Sequence, residues 1–125
     1  MADPNPPEGD GPVIVWSTFP DLAAARACGR ALVERRLAAC VVMLPAVQSI
    51  YRWQGAIEEA GEVALLAKTR RTLAEAAMAA IAADHPYDLP ALLVLEVAAA
   101  SRAYGAWIFA ETAQPGPGVD PLTSP

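Results

Sequence analysis

Cys28, Cys40, His85 and Met43 are the soft and borderline donors of this chain, residue types that suit Cu(I) or Zn. Their spacing closes no metal site within one chain, and neither cysteine belongs to a CxxC pair. Cys28 falls on the apolar stripe of a helix, where a free thiol is ordinarily inert core, and Cys40, opening a long strand, has the same default. A second or third copy of the chain would change this by bringing residues together round an axis or across a cleft. His85, at a helix end just before Pro86, is either a histidine favoured by the negative end of the dipole or a neutral imidazole ligand and proton carrier. Lys68 is the single lysine beside eight arginines. At an interior position of an apolar strand it either snorkels to an edge or pairs with an acid such as Glu62 or Glu96. Glu58, Glu59 and Glu62 form a solvated rim or a loose site for a hard cation. Lys68, His85 and Tyr87 come nearest to a catalytic set, yet no nucleophile–base spacing accompanies them, so no catalytic residue is assigned and a non-enzymatic role is expected.

The element that must position most of these groups runs from Ala38 to Arg71. Two arms rich in Val, Ile, Leu and aromatic residues flank Gln54-Gly55, which predicts one long β-hairpin. Arms of about fifteen residues reach about 50 Å, whereas a domain of about 100 residues has a radius of gyration of only about 13 Å. Part of the hairpin must therefore overhang its own domain and lean on another chain. Tyr51 and Trp53 alternate onto one face of the overhang and are the large anchors that interfaces favour, as are Tyr104 and Trp107 further on. Pro45 cannot donate to a ladder and predicts a bulge or bend within the first arm.

The flanking sequence is ordered by the same logic. Val13–Ser17 reads as a strand apolar on both faces, and Pro20-Asp21 opens a helix to about Arg36, with Leu22, Ala25, Cys28, Leu32 and Val33 near its apolar side. Gly29 beside that stripe makes sense only where the helix packs closely on the sheet. Thr72-Leu73-Ala74-Glu75 is a capping-box sequence starting a second helix that stops near His85. Leu92–Val97 is a final strand, and Ser101 caps a last helix bearing Tyr104, Trp107 and Ile108. The order β-α-β-β-α-β plus a terminal helix predicts an α+β, ferredoxin-like sandwich with a long central hairpin. Its helices cover one sheet face, so the other, also apolar, asks for a partner, most economically in a homo-oligomer.

At 125 residues and 54% hydrophobic composition, the chain makes one domain with a real core. Residues 1–12 and 113–125 are proline-rich and poor in large apolar side chains and are expected to be disordered tails around a domain of residues 13–112. The net charge of −5 is mostly theirs: Asp3, Glu8, Asp10 and Asp120 set aside, 14 − 4 = 10 acids face nine bases. Without a basic stripe, nucleic acid and anionic membranes are not expected partners. No apolar run of about 18 residues suggests a membrane span, and the acidic start lacks a signal-peptide pattern. A cytoplasmic protein with reduced thiols is expected.

Ala39-Cys40-Val41, Tyr51-Arg52-Trp53-Gln54-Gly55-Ala56-Ile57-Glu58, Lys68-Thr69 and His85-Pro86-Tyr87-Asp88-Leu89-Pro90, in this order and spacing, resemble the CutA family of divalent-cation tolerance proteins. The resemblance covers residues 13–111. It implies a tight homotrimer of ferredoxin-like subunits, similar in architecture to PII signal proteins, linked to tolerance of copper or another divalent metal. By the same resemblance, Cys40, His85, Trp53, Glu62, Lys68 and Tyr87 fall near intersubunit clefts. Donor chemistry makes Cys40 and His85 the expected metal residues. Trp53, Glu62, Lys68 and Tyr87 would line a ligand cleft, and the overhang with its aromatic anchors makes Tyr51, Trp53 and Trp107 the expected trimer interface. An enzyme or a PII-like sensor of a small anionic metabolite is the alternative. Two positions depart from the family pattern: Ala91 and Ala103 stand where it favours acids, which weakens an acidic site at that cleft.

Overall fold

The computed structural model describes residues 9–113. Strand β1 (Pro12–Phe19) leads to helix α1 (Leu22–Glu34), then β2 (Cys40–Trp53) and β3 (Ala56–Arg70) form the hairpin. A single 3₁₀ turn, Arg71–Leu73, enters helix α2 (Ala74–Ala83), followed by β4 (Leu93–Glu96) and helix α3 (Arg102–Glu111). The four strands make one antiparallel sheet in the order β2-β3-β1-β4. This is the split βαβ arrangement expected of a ferredoxin-like sandwich.

The core lies between the sheet and helices α1 and α2. Val13, Val15 and Phe19 of β1 share it with Val63, Leu65 and Ala67 of β3, Leu32 of α1 and Ala77 and Ile81 of α2. Buried Gly29 explains itself here, since a Cβ would stand 2.9 Å from Val41 Cγ1. Asp21 caps α1 by accepting from the Ala24 N–H at 2.8 Å. Leu22 and Val33, expected on the apolar side, are exposed. The helix is rich in alanine and small enough on its inner side to settle on Ala25, Gly29 and Leu32 alone.

The hairpin turns through Gln54 and Gly55, both at positive φ (49° and 82°), the geometry of a two-residue turn matched to strand twist. Its register slips between Leu44 and Val47, where Pro45 and Ala46 (φ 61°) supply one extra residue: the predicted bulge. β1 ends opposite Val63, so Ala56–Glu62 pair with β2 alone and the outer hairpin overhangs the domain. Ile50 and Ile57 there are 70% and 66% exposed.

Two expectations need correction. The ordered body begins before Val13: the Asp10 side chain is fully buried, and its carboxylate meets Arg70 Nε at 2.8 Å. The rest of the expected tails lies mostly outside the described residues. The capping box also does not form. Thr72 instead donates from N–H and Oγ1 to Asp10, at 3.3 and 3.0 Å, and α2 starts from the 3₁₀ turn without a side-chain cap. The buried Arg70 guanidinium recruits the Asp10 carboxylate, and that carboxylate then captures the hydroxyl the box required.

Candidate functional site

Register fixes which side chains share the sheet face opposite α1 and α2. Cys40 pairs with Lys68 and Lys68 with Ile14, out of phase with the core positions Val13, Val15 and Ala67. Val42, Leu66, Trp16 and Leu95 continue this second face. Helix α3 covers one end of it, through a hydrogen bond from Lys68 Nζ to Tyr104 Oη at 3.0 Å and the Arg70 guanidinium 4.4 Å from the Phe109 ring. Ser101 caps α3, as expected, accepting from the Tyr104 N–H. Leu44, Leu93 and Leu95 on the remainder stay exposed.

The bulge extends this face into the overhang. Val47, Tyr51 and Trp53 pair with Glu62, Glu58 and Ala56, which stay in phase with Lys68 along β3. Tyr51 and Trp53 are 44% and 42% exposed. They stand on the same side as Val42 and Leu44 only because Pro45-Ala46 shifts β2 by one residue.

Two separate polar clusters result. At the end of β1, His85 Nδ1 accepts the Tyr87 N–H at 3.1 Å, which leaves Nε2 as the donor to the Thr18 carbonyl at 2.9 Å. The ring also stacks on Phe19, with centroids 4.3 Å apart. His85 therefore ties the end of α2 to the end of β1, and both its nitrogens are engaged. Tyr87 Oη donates to Glu62 at 2.9 Å. Burial, then the Glu62 hydrogen bond and charge, push the Tyr87 phenol up to about 12.

The second cluster is Lys68, Tyr104 and Cys40. Lys68 pairs with neither Glu62 nor Glu96, contrary to one expectation: Glu62 binds Tyr87, and Glu96 is bound by both terminal nitrogens of Arg71. The Tyr104 hydrogen bond raises Lys68 above its ordinary value despite some desolvation, and nearby Cys40 adds to the rise. Trp107 extends the patch by stacking on Tyr104 at 5.5 Å.

Of the expected cleft residues, then, Glu62 and Tyr87 meet within one chain. Lys68 is six positions from Glu62 along β3, about 20 Å, and Trp53 stands at the hairpin tip in the other direction. Cys40 and His85 do not meet either. Cys40 lies level with Ile14 and His85 binds at Thr18, about 13 Å along β1 before the separation between strands is added. Among the described residues no group of three or more His, Cys, Asp or Glu side chains could hold a metal ion. Cys28 lies apart, between α1 and α2, where burial and then Asp84 push its thiol up to about 11 and keep it protonated. Sequence reasoning missed Asp10 and the Arg70–Phe109 stack. The acid before Val13 and the arginine ending β3 carry no local signal of their pairing. No described helix is long and apolar enough to cross a membrane.

Over residues 13–111 the sequence matches the family described as CutA1 divalent ion tolerance protein. The divalent-cation tolerance protein CutA of Pectobacterium atrosepticum is 40% identical over 96 residues, 77% of this chain and 87% of that protein. The crystal structure of CutA from Xylella fastidiosa is 42% identical and superposes with a TM-score of 0.80, covering 82% of this chain and 99% of that one. A CutA from Archaeoglobus fulgidus, described as periplasmic, is 29% identical with a TM-score of 0.78, over 80% of this chain and 97% of that one. Sequence and fold agree across the whole sheet-and-helix body, and this chain belongs to the CutA1 divalent ion tolerance family.

Proposed function

We propose that the chain acts in the cytoplasm as a non-enzymatic homotrimeric divalent-metal response protein that holds copper or another divalent ion between subunits. The observation that carries this reading is the uncovered second sheet face. It is apolar from Leu95 to Leu44, continues into Tyr51 and Trp53, and has Cys40 beside it as a half-buried free thiol. A surface of that kind is an interface awaiting its partner. Because the described residues of one chain assemble no group of three or more such ligands, the reading draws the ion's donors from more than one copy. Cys40 is the better donor of the two expected residues, since coordination by His85 would break a bond to Tyr87 or Thr18.

Calorimetric titration of the purified protein with Cu and Zn salts under reducing conditions tests the metal assignment. Saturable micromolar binding that Cys40→Ser weakens at least tenfold, about 1.4 kcal/mol, is the expected result. No saturable binding, or binding indifferent to Cys40→Ser, refutes it.

A second reading, a PII-like sensor of a small anionic metabolite, is favoured by a specific observation. Among the described residues, no carboxylate lies within ion-pair distance of the Lys68 ammonium.

A further inference from the structure

Beside Lys68 lies a cavity of about 280 Å³, at the lower edge of the usual range for small-molecule sites. Pro12 and Ile14 of β1, Val97 after β4, and Tyr104 and Ile108 of α3 make its walls almost wholly apolar. Lys68 is its only cationic lining residue and places one donor on Tyr104 Oη at 3.0 Å. An ammonium has three donors, and among the described residues no acid partner occupies the others. The other ion pairs of the described chain account for Glu34, Glu111, Asp10 and Glu96, and Glu62 is engaged by Tyr87. A positive charge with spare donors, set in the wall of an apolar hollow, complements one negative group joined to an apolar body. The size of the hollow limits that body to about a single ring or a short branched chain.

We propose that this cavity is a binding site for a small amphipathic monocarboxylate, with the carboxylate on Lys68 Nζ and the apolar body between Ile14, Val97 and Ile108. This deepens the anion-sensor reading and is independent of any metal at Cys40. Polyanions such as citrate fit poorly, because Lys68 is the only cation on the wall and their further charges would be buried unpaired. Acetate has the charge without the apolar area to bury.

The test is calorimetric titration of the full-length protein with benzoate, benzamide and acetate, repeated on Lys68→Met and Lys68→Arg. Benzoate should bind saturably and at least tenfold more tightly than either comparison compound. Lys68→Met should erase the preference over benzamide, and Lys68→Arg should retain it. Thermal melts of both variants identify any loss of fold, and Ala100→Phe, which fills the cavity from the loop before α3, provides a second route to lost binding with Lys68 intact. Equal affinity for benzoate and benzamide overturns the proposal, as does a carboxylate preference that survives Lys68→Met. Inorganic phosphate and citrate separate the two levels of the argument. If they bind in a Lys68-dependent way while benzoate does not, the amphipathic-carboxylate assignment falls and an anion sensor stands. If no anion responds to Lys68→Met, both fall.

Discussion

Arg70 and Asp10 form the most consequential pair of side chains in the molecule. Arg70 is 2% exposed at its side chain, stacks on Phe109, and finds its carboxylate in a residue sixty positions earlier. Removing one partner of a buried pair leaves the other charge stranded, so Asp10→Ala should cost about 3–5 kcal/mol in urea unfolding, with Asp10→Leu/Arg70→Met recovering most of it. Burial alone would raise the Asp10 carboxyl, but hydrogen bonds from Arg70, Gly11 and Thr72 together outweigh it and hold the group below its ordinary 3.8. Its folded-state value is thus depressed, so its contribution is present above pH 3.8 and is lost as pH falls from there through the folded value. Asp10→Asn should flatten that acid limb in a pH series of melts. Tyr87 has the opposite sign. Its phenol is raised from 10.0 to about 12, so its contribution is complete below pH 10 and disappears as pH climbs towards 12. Tyr87→Phe should lower stability at neutral pH by about 1–2 kcal/mol and abolish this alkaline loss.

The hairpin was legible at the scale of elements because its signals are local. Gln54-Gly55 between two apolar runs specifies the turn, and Pro45 marks the bulge without any knowledge of the neighbouring strands. The consequence of the bulge was not legible. Side chains alternate with period two, so one inserted residue exchanges the faces of everything beyond it, and only pairing with β3 reveals which face results. Deleting Ala46 removes that extra residue, so Val47 should still face Glu62, and Tyr51 and Trp53 should keep their side of the sheet, now in regular phase with Leu44. If the facing of those residues anchors a trimer, light scattering of the deletion variant should find the trimer retained, with circular dichroism reporting the same sheet; a lost trimer would assign the anchoring to the bend itself. The capping box at Thr72 failed for a related reason. Its pattern is correct in isolation, but a tertiary partner, Asp10, offers the hydroxyl a charged acceptor at 3.0 Å.

For the whole molecule, the overhang and the uncovered face are the two observations that support the proposed trimer. Trp53→Ala should cost about 3–5 kcal/mol per site, repeated in each copy of a closed trimer, and lower the melting temperature together with the trimer population. A well-folded monomer of the unmodified chain at micromolar concentration, melting at the same temperature after Trp53→Ala, defeats the trimer. The sequence by itself determined the element order, the turn at Gln54-Gly55, the close seat for Gly29 and the family. Each of these depends on neighbours in the chain or on a motif read as a string. Only the tertiary structure decided that Glu62 belongs with Tyr87, that Lys68 belongs with Tyr104, and that Cys40 and His85 stand apart within a subunit. The physical reason is that a polar side chain commits to the partner the packed sheet brings within about 3 Å, and strand register, not distance along the sequence, selects that partner.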